Sequence, residues 1–402
     1  MISQKELFYS YLAQTSPEPM ELEIVKAEGL YLIDRKNKKY LDLISGISVS
    51  NVGHSHPEII NAVKEQADKY MHLMVFGEYI QSTQTKLAEA ITNLLPSSLN
   101  NVYFVNSGSE AIEGALKLAK RHTGRTDIIS CKNSYHGSSH GALSIMGNEE
   151  FKNNFRPLLP NTRLIEFNNF NDLQYITKKT ACIVIEAFQA EAGIIIPDLN
   201  YMKSVRERCT EMGAMLIIDE VQTGFGRTGS FFGFQQHGII PDIITLAKGM
   251  GGGMPIGAFI SSKEIMQSLT HHPVLGHITT FGGHPVCSAA SLACLNIIEK
   301  NNLRDSIPQK SKLFKDLLIH DKIIDVRGIG FFLCVEFENQ KFNFSVIKKC
   351  IEKGLITDWF LFNDKCLRIS PPLIIEKKDI RFSCEIIIES INEIVNEKIT
   401  NT

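Results

Sequence analysis

The sequence predicts an α/β fold in which a mostly parallel β-sheet is buried between layers of helices. Segments that are apolar at every position, such as residues 181–185 and 215–218, alternate with segments of helical periodicity between residues 50 and 290. Strands covered on both faces require such continuous apolar segments. The length of 402 residues is sufficient for two or three domains.

The large domain, predicted to span residues 50–290, contains most of these segments. A strand is expected at residues 101–105 and a helix at residues 109–121, where apolar residues recur at helical spacing. Further strands are expected, in chain order, at residues 127–130, 181–185, 215–218, 242–246 and 258–260.

The C-terminal part has a different pattern, without regular alternation of strands and helices. Helices are expected at residues 288–299, 344–352 and about 378–398, and strands at residues 331–337 and 365–369. This mixed order predicts a smaller α+β domain, to which we assign residues 1–49 and 291–402.

Composition and charge exclude several classes of protein. The 42 basic and 44 acidic residues leave no basic excess for nucleic acid or anionic lipid. No apolar segment approaches the roughly 20 residues of a membrane span, and the N-terminus lacks a signal-peptide pattern. The nine cysteines are scattered, without a Cys-x-x-Cys pair. We therefore expect a cytoplasmic protein with no nucleic-acid partner, no membrane partner and no bound metal.

Two patterns resemble known sites but stand in the wrong context. Residues 224–229 match Gly-x-Gly-x-x-Gly, yet they do not directly follow a strand and no amphipathic helix succeeds them, as a dinucleotide-binding loop requires. The pairs His54/His56 and His136/His140 lack the partners of a metal site. We interpret these histidines as hydrogen-bonded loop residues.

Three other features, in a fixed order, have complementary chemistry. Residues 106–111 join a strand end to a helix N-terminus, which binds anions, although the same residue types are ordinary helix caps. Asp219 ends a buried strand, where a carboxylate needs a cationic partner unless it simply caps a helix. Lys248 follows another strand among glycines, so that its amine can be desolvated and nucleophilic. Together they meet the needs of pyridoxal phosphate: a Schiff-base lysine, a carboxylate for the pyridine nitrogen and a phosphate site.

These features belong to a longer set of motifs at residues 42–46, 53–57, 218–229, 247–249 and 368–372. With them the chain resembles the class III aminotransferases, which include ornithine, acetylornithine and 4-aminobutyrate enzymes, among the fold-type-I pyridoxal-phosphate proteins. The resemblance implies a large domain with a mostly parallel seven-stranded sheet, flanked by helices, and a smaller α+β domain.

The resemblance also implies individual roles in cofactor binding. Lys248 is expected to form the Schiff base and to move protons, and Asp219 to pair with the pyridine nitrogen. The other expected cofactor contacts are Gly108 and Ser109 at the phosphate, Tyr135 stacked on the ring, Gln222 at the ring hydroxyl, and Thr280 at the phosphate of the neighbouring subunit. The last contact implies an obligate homodimer.

The substrate side is expected to contain Glu186, Glu191, Ile47 and Arg368. In many relatives an arginine equivalent to Arg368 binds the carboxylate of 2-oxoglutarate, and a glutamate equivalent to Glu191 neutralises it when the substrate has no such group. Judged without the motif, an arginine such as Arg368 on an edge strand is more often a surface charge. Ser138 replaces an arginine of acetylornithine and ornithine enzymes, which weakens the assignment to either of these substrate classes. Ile47 replaces an aromatic residue of ornithine enzymes, which also weakens the ornithine assignment.

The sequence therefore predicts an aminotransferase that uses pyridoxal phosphate. The expected donor is an ω-amino acid, a diamine-type amino acid or another primary amine, and the expected acceptor is 2-oxoglutarate or pyruvate. Two alternatives remain open: an aminomutase or decarboxylating transaminase with the same cofactor site, and a non-catalytic regulator that binds pyridoxal phosphate.

Overall fold

The computed structural model describes residues 2–75 and 77–400. Its N-terminal part contains three strands, which the sequence analysis did not predict, and four helices. In chain order these elements are α1 (Gln4–Tyr11), β1 (Ile24–Glu28), β2 (Tyr31–Asp34), β3 (Lys39–Asp42), α2 (Ser45–Ser48), α3 (Pro57–Lys69) and α4 (Ser82–Thr92).

The middle of the chain supplies seven strands and four helices. These are β4 (Asn101–Val105), α5 (Gly108–Thr123), β5 (Asp127–Cys131), α6 (His140–Ser144), β6 (Thr162–Ile165), β7 (Thr180–Glu186), α7 (Tyr201–Met212), β8 (Met215–Asp219), β9 (Ile243–Leu246), β10 (Gly257–Ser261) and α8 (Lys263–Met266).

All seven strands form one sheet in the order β4-β10-β9-β8-β7-β5-β6. Strand β10 is antiparallel to both neighbours, and the remaining pairs are parallel. The predicted mostly parallel seven-stranded sheet is thus confirmed. Because parallel strands end at the same edge, Glu186 pairs with Asp219, and Asp219 pairs with Thr245, at the carboxyl ends of β7, β8 and β9.

Helix α5 shows how local sequence fixes an element beside that edge. The Ser107 hydroxyl accepts a hydrogen bond of 3.1 Å from the Glu110 amide and caps the helix start, and Gly124 ends the helix in a left-handed conformation. Gly114 faces the sheet, where an added Cβ would lie 2.2 Å from the Phe259 ring. The glycine therefore allows close packing of α5 on β10.

The C-terminal part consists of four helices and five strands. They are α9 (Pro285–Lys300), α10 (Ile307–Leu317), β11 (Asp325–Ile329), β12 (Phe332–Glu336), α11 (Gln340–Glu352), β13 (Leu355–Ile356), β14 (Trp359–Phe360), β15 (Asn363–Ile369) and α12 (Lys377–Thr400). The predicted helices and strands of this part are present, with helix α11 starting four residues before its predicted start. No helix of the described residues is long and apolar enough to cross a membrane.

Two small sheets involve both ends of the chain. Strand β13 pairs in parallel with β3, extending the order β1-β2-β3-β13, and the second sheet has the order β11-β12-β15-β14. Leu41 and Leu43 share a buried apolar cluster with residues of α10, α11, α12 and β15. This cluster supports the division into residues 50–290 and the two chain ends, which stays a prediction.

Arg227 lies in the glycine-containing segment 224–229 and connects distant parts of the chain. Its side chain is completely buried. The guanidinium donates to the carbonyls of Phe331 and Pro371 and to the side-chain oxygen of Asn51. Burial lowers the pKa of this arginine to about 9. The segment that matches a dinucleotide motif therefore contains a buried arginine with a structural role.

The substitution Arg227→Met is expected to reduce the free energy of unfolding by about 3 kcal/mol, because it leaves three buried acceptor oxygens without a donor. Urea denaturation followed by circular dichroism measures the change. Arg381→Met, on the exposed face of α12, is the matched control and should leave the transition in place. An unchanged transition in the Arg227 variant would contradict the structural role.

Candidate active site

A cavity of about 700 Å³ opens at the carboxyl ends of β7, β8 and β9. Six of the residues predicted to bind the cofactor line it, together with Glu186. The six are Gly108, Ser109, Tyr135, Asp219, Gln222 and Lys248. The structure thus brings into one cavity residues that are up to 140 positions apart in the chain.

The N-terminus of α5 forms one wall, where Ser109 and Ser139 meet. Their hydroxyl oxygens are 2.5 Å apart, and the Ser139 amide donates to the Ser109 hydroxyl at 3.1 Å. A Cβ added to Gly137 would lie 2.5 Å from that hydroxyl, and one added to Gly108 would lie 2.9 Å from Val221. These glycines allow Val221 and Ser109 to pack closely beside the free backbone amides and positive dipole end of a 16-residue helix, which is a site that suits an anion.

Asp219 ends β8 and is held on both carboxylate oxygens. Oδ1 accepts a hydrogen bond of 2.9 Å from the Val221 amide, and Oδ2 lies 2.7 Å from Nδ1 of His136. His136 is buried, and its Nε2 has no partner among the described residues. The histidine that the sequence analysis interpreted as a loop residue therefore orients the carboxylate. Its position between Tyr135 and Gly137, within a cofactor motif, was the available signal.

Glu186 lies beside Asp219 in the sheet and differs from it electrostatically. Burial, and then the negative charge of Asp219, raise the pKa of Glu186 well above its usual range. Its carboxyl accepts hydrogen bonds from the amides of Ala190 at 2.8 Å and Tyr135 at 3.3 Å. Two adjacent buried carboxylates repel each other, so the raised pKa of Glu186 favours its neutral form.

Lys248 follows β9 and has a positive φ of 48°, which is uncommon for a residue with a side chain. Burial in the cavity wall lowers the pKa of Lys248 to about 8, and nearby carboxylates, led by Glu191, limit the decrease. Gly249 packs closely against Asn51, because a Cβ added to this glycine would lie 2.4 Å from the side-chain nitrogen of Asn51. A substantial fraction of the amine is thus neutral near pH 8 and can act as a nucleophile.

Arg368 is buried next to the cavity, which excludes its interpretation as a surface charge. It makes two hydrogen bonds to Glu191, of 3.1 and 3.0 Å, and one of 2.9 Å to Asp358. Burial alone would raise the pKa of Glu191, but the charge and hydrogen bonds of Arg368 prevail and lower it to about 2. Gln222 Nε2 donates to Glu191 at 3.0 Å and so joins this cluster to the cavity.

Four predicted site residues do not line the cavity: Arg368 and Glu191, which are connected to it through Gln222, and Thr280 and Ile47. Thr280 is exposed in the turn before α9, and Ile47 is half-buried with a φ of 63°. Val49, two positions from Ile47, lines the cavity instead. The roles of Thr280 and Ile47 stay predictions.

The arrangement fits pyridoxal phosphate on structural grounds. The cradle at Gly108, Ser109 and Gly137 suits a phosphate, and Asp219 offers an oriented carboxylate for a protonated ring nitrogen. Lys248 provides the amine for an aldehyde. The side-chain oxygen of Gln222 is buried without a hydrogen-bond partner among the described residues, so it can accept from a bound group.

Comparisons with known proteins agree with this chemistry. The family model "Aminotransferase class-III" matches residues 11–391. Acetylornithine aminotransferase of Methanocaldococcus jannaschii is 38% identical over 387 residues, which cover 93% of each chain. The Bacillus cereus enzyme of the same name is 36% identical, covering 95% of this chain and 96% of its own.

Solved structures extend the similarity to the fold. A transaminase from the marine bacterium Virgibacillus superposes with a TM-score of 0.92 at 28% identity, covering 98% of this chain and 99% of its own. Ornithine aminotransferase of Toxoplasma gondii gives 0.91 at 26% identity, covering 99% and 97%. The chain belongs to the class III aminotransferases and is a transaminase that depends on pyridoxal phosphate.

Proposed function

We propose that this enzyme transfers an amino group from an ω-amino acid, a diamine-type amino acid or another primary amine to 2-oxoglutarate or pyruvate. The observation that carries the proposal is the position of Lys248 and Asp219 in one cavity, next to a buried arginine that is paired with Glu191. Class III membership and these two residues argue against a regulator without catalytic activity.

Each chemical role falls to a group of this chain. Lys248 Nζ would hold the cofactor through its aldehyde and, as a free amine, would carry a proton to and from the reacting carbon. Its lowered pKa, about 8, suits both tasks, because neutral and protonated forms coexist near neutral pH. Asp219, held by His136, keeps a proton on the ring nitrogen. When bound, pyridoxal phosphate supplies an electron sink for negative charge at the carbon that bears the amino group.

Arg368 and Glu191 would allow two unlike substrates to share the cavity. While Glu191 covers the guanidinium, the site suits an amine without a second carboxylate. The carboxylate of 2-oxoglutarate would take the place of Glu191, because a guanidinium binds either carboxylate by the same two-pronged contact. Displaced Glu191 keeps nearby donors in the Leu361 amide, at 3.0 Å, and Gln222.

Donor recognition differs from that expected for acetylornithine enzymes. The names of the curated relatives favour a diamine-type donor. However, Ser138 lines the cavity where the resemblance implies an arginine, and its hydroxyl lies 3.2 Å from that of Tyr135. We infer that this wall binds the donor through hydroxyl groups rather than through a guanidinium.

We further propose a homodimer in which Thr280 completes the phosphate site of the neighbouring subunit. Thr280 is adjacent to the exposed Phe281, whose ring lies 4.9 Å from that of His72. Ile80, in the segment that includes His72, is 96% exposed. The exposed apolar side chains of Phe281 and Ile80 support the proposal, because burial between subunits would remove them from water.

A cytoplasmic location is also retained as a proposal. All nine cysteines lie within the described residues and are free thiols. Unpaired buried cysteines are typical of proteins in a reducing compartment.

A titration with amines, in the absence of an acceptor, tests the donor class. One class of primary amine is expected to convert the visible absorbance of the cofactor-loaded protein to that of the amine form of the cofactor. Lys248→Ala is the control and should show neither the starting band nor catalytic turnover, because no other amine replaces Nζ. Steady-state activity in this variant would refute the assignment of Lys248.

The substitution Asp219→Asn is expected to lower kcat about 100-fold or more, by analogy with the loss of a group that stabilises charge in the transition state. Stopped-flow measurement of the amine half-reaction gives the rate. Asp316→Asn, an exposed carboxylate on α10, serves as the control. Rates close to that of the unsubstituted protein would contradict pairing of Asp219 with the ring nitrogen.

Arg368→Ala is expected to raise the KM for 2-oxoglutarate at least about tenfold while changing that for pyruvate little, since only the former has a second carboxylate. Initial rates with both acceptors provide the comparison. Arg327→Ala, which removes an arginine of the same small sheet that pairs with Asp325 and Glu336, is the control. Equal effects on the two acceptors would indicate a purely structural arginine.

A further inference from the structure

Asp358 is a buried carboxylate next to the substrate side that the sequence analysis did not select. It lies between β13 and β14 and is 8% exposed. Its Oδ1 accepts a hydrogen bond of 2.9 Å from Nε of Arg368, and its backbone carbonyl accepts one of 2.9 Å from the Arg368 amide. Arg368 is therefore fixed to this residue through both backbone and side chain.

The local strand pairing explains this contact. Trp359 pairs with Leu367 in the antiparallel pair β14–β15. Asp358, which precedes Trp359, therefore lies opposite Arg368, which follows Leu367. Strand β15 lies inside its sheet, between β12 and β14. Its backbone, and with it the start of the arginine side chain, has neighbours on both sides.

The guanidinium presents different edges to Asp358 and Glu191. Its Nε edge contacts Asp358, whereas Nη1 and Nη2 each donate to one oxygen of Glu191. Nη2 also donates to the Trp359 carbonyl at 3.0 Å, and the Phe360 ring lies 4.3 Å from the guanidinium carbon. Departure of Glu191 would leave the contacts with Asp358, Trp359 and Phe360 intact.

The balance of charge around Arg368 also indicates that Asp358 stays in place when Glu191 moves. Arg368 is 1% exposed, so its charge would be nearly uncompensated if Glu191 were its only anionic partner and moved away. An unpaired buried charge is strongly destabilising. Asp358 supplies a second negative charge at the Nε edge of the guanidinium, which the acceptor carboxylate would not contact. Glu191, in contrast, has donors in Gln222 and the Leu361 amide that allow it to exchange partners.

We propose that Asp358 is a positioning residue that keeps the Arg368 guanidinium oriented and compensated while Glu191 is exchanged for the carboxylate of a dicarboxylate acceptor. The inference rests on the proposed function, in which Arg368 binds 2-oxoglutarate. Asp358 is the permanent partner of the arginine, and Glu191 is the exchangeable one.

Acceptor kinetics of Asp358 variants test this role in the holoenzyme. Asp358→Ala is expected to raise the KM for 2-oxoglutarate, and the inhibition constant of glutarate, about tenfold, with kcat and the KM for pyruvate within about twofold. Asp358→Asn retains an acceptor oxygen for Nε but lacks the charge, so it separates orientation from charge compensation and should show a smaller selective increase in KM than Asp358→Ala. Asp364→Ala, on β15 of the same hairpin, is the control and should leave all four constants unchanged.

The outcomes separate this inference from the proposed function. If Arg368→Ala discriminates between the two acceptors and Asp358→Ala does not, the positioning role is overturned while the acceptor site stands. If Arg368→Ala does not discriminate, the acceptor site itself fails. Equal losses with both acceptors in Asp358→Ala would also overturn the inference, because they indicate general damage. A selective loss that Asp358→Asn does not restore supports the role and assigns it to the charge.

Should the alanine variant not fold, Asp358→Glu provides the same test. It keeps the charge but displaces the carboxylate by one methylene group. The KM for 2-oxoglutarate is expected to rise selectively. An unchanged KM in the folded glutamate variant would overturn the proposal.

Discussion

The need to compensate buried charge at one edge of a parallel sheet governs the arrangement of this molecule. Strands β7, β8 and β9 end side by side and deliver Glu186, Asp219 and Lys248 to the same cavity. Each of these groups would be costly to bury alone. The cost is reduced in three ways: the pKa of Glu186 is raised, Asp219 contacts His136, and the pKa of Lys248 is lowered. The same arrangement makes the cavity chemically useful.

The sequence was informative where a residue's role depends on its own neighbourhood. Strand β8 was predictable because each of its first four positions is apolar, and Asp219 was notable because it ends that run. Strand β6, with the sequence Thr-Arg-Leu-Ile at the edge of the sheet, lacks such a run and was missed. His136 and Asp358 were missed for another reason. Each acts through a partner on a different strand, and only the folded chain brings them together.

The substrate side uses the same compensation, applied to a cation. Arg368 lies between two carboxylates. Asp358 accepts a hydrogen bond from its Nε, whereas Glu191 accepts one from its Nη1 and another from Gln222. A pocket with a single fixed charge would suit one substrate, whereas an arginine with one replaceable partner can serve two. In the proposed acceptor site, versatility would result from the opening of an ion pair, without any requirement for a large movement of the backbone.

The contacts of Arg227 indicate the order in which parts of the chain fold during synthesis. Its acceptors come from Asn51, Phe331 and Pro371, so its guanidinium has all its protein partners only after segments far apart in the chain have joined it. The segment 224–229 directly follows the residues that form the cavity wall at Asp219 and Gln222. During synthesis on the ribosome, Arg227 therefore gains its last acceptor only after residue 371 has emerged, and complete burial of this arginine is a late step in the folding of the chain.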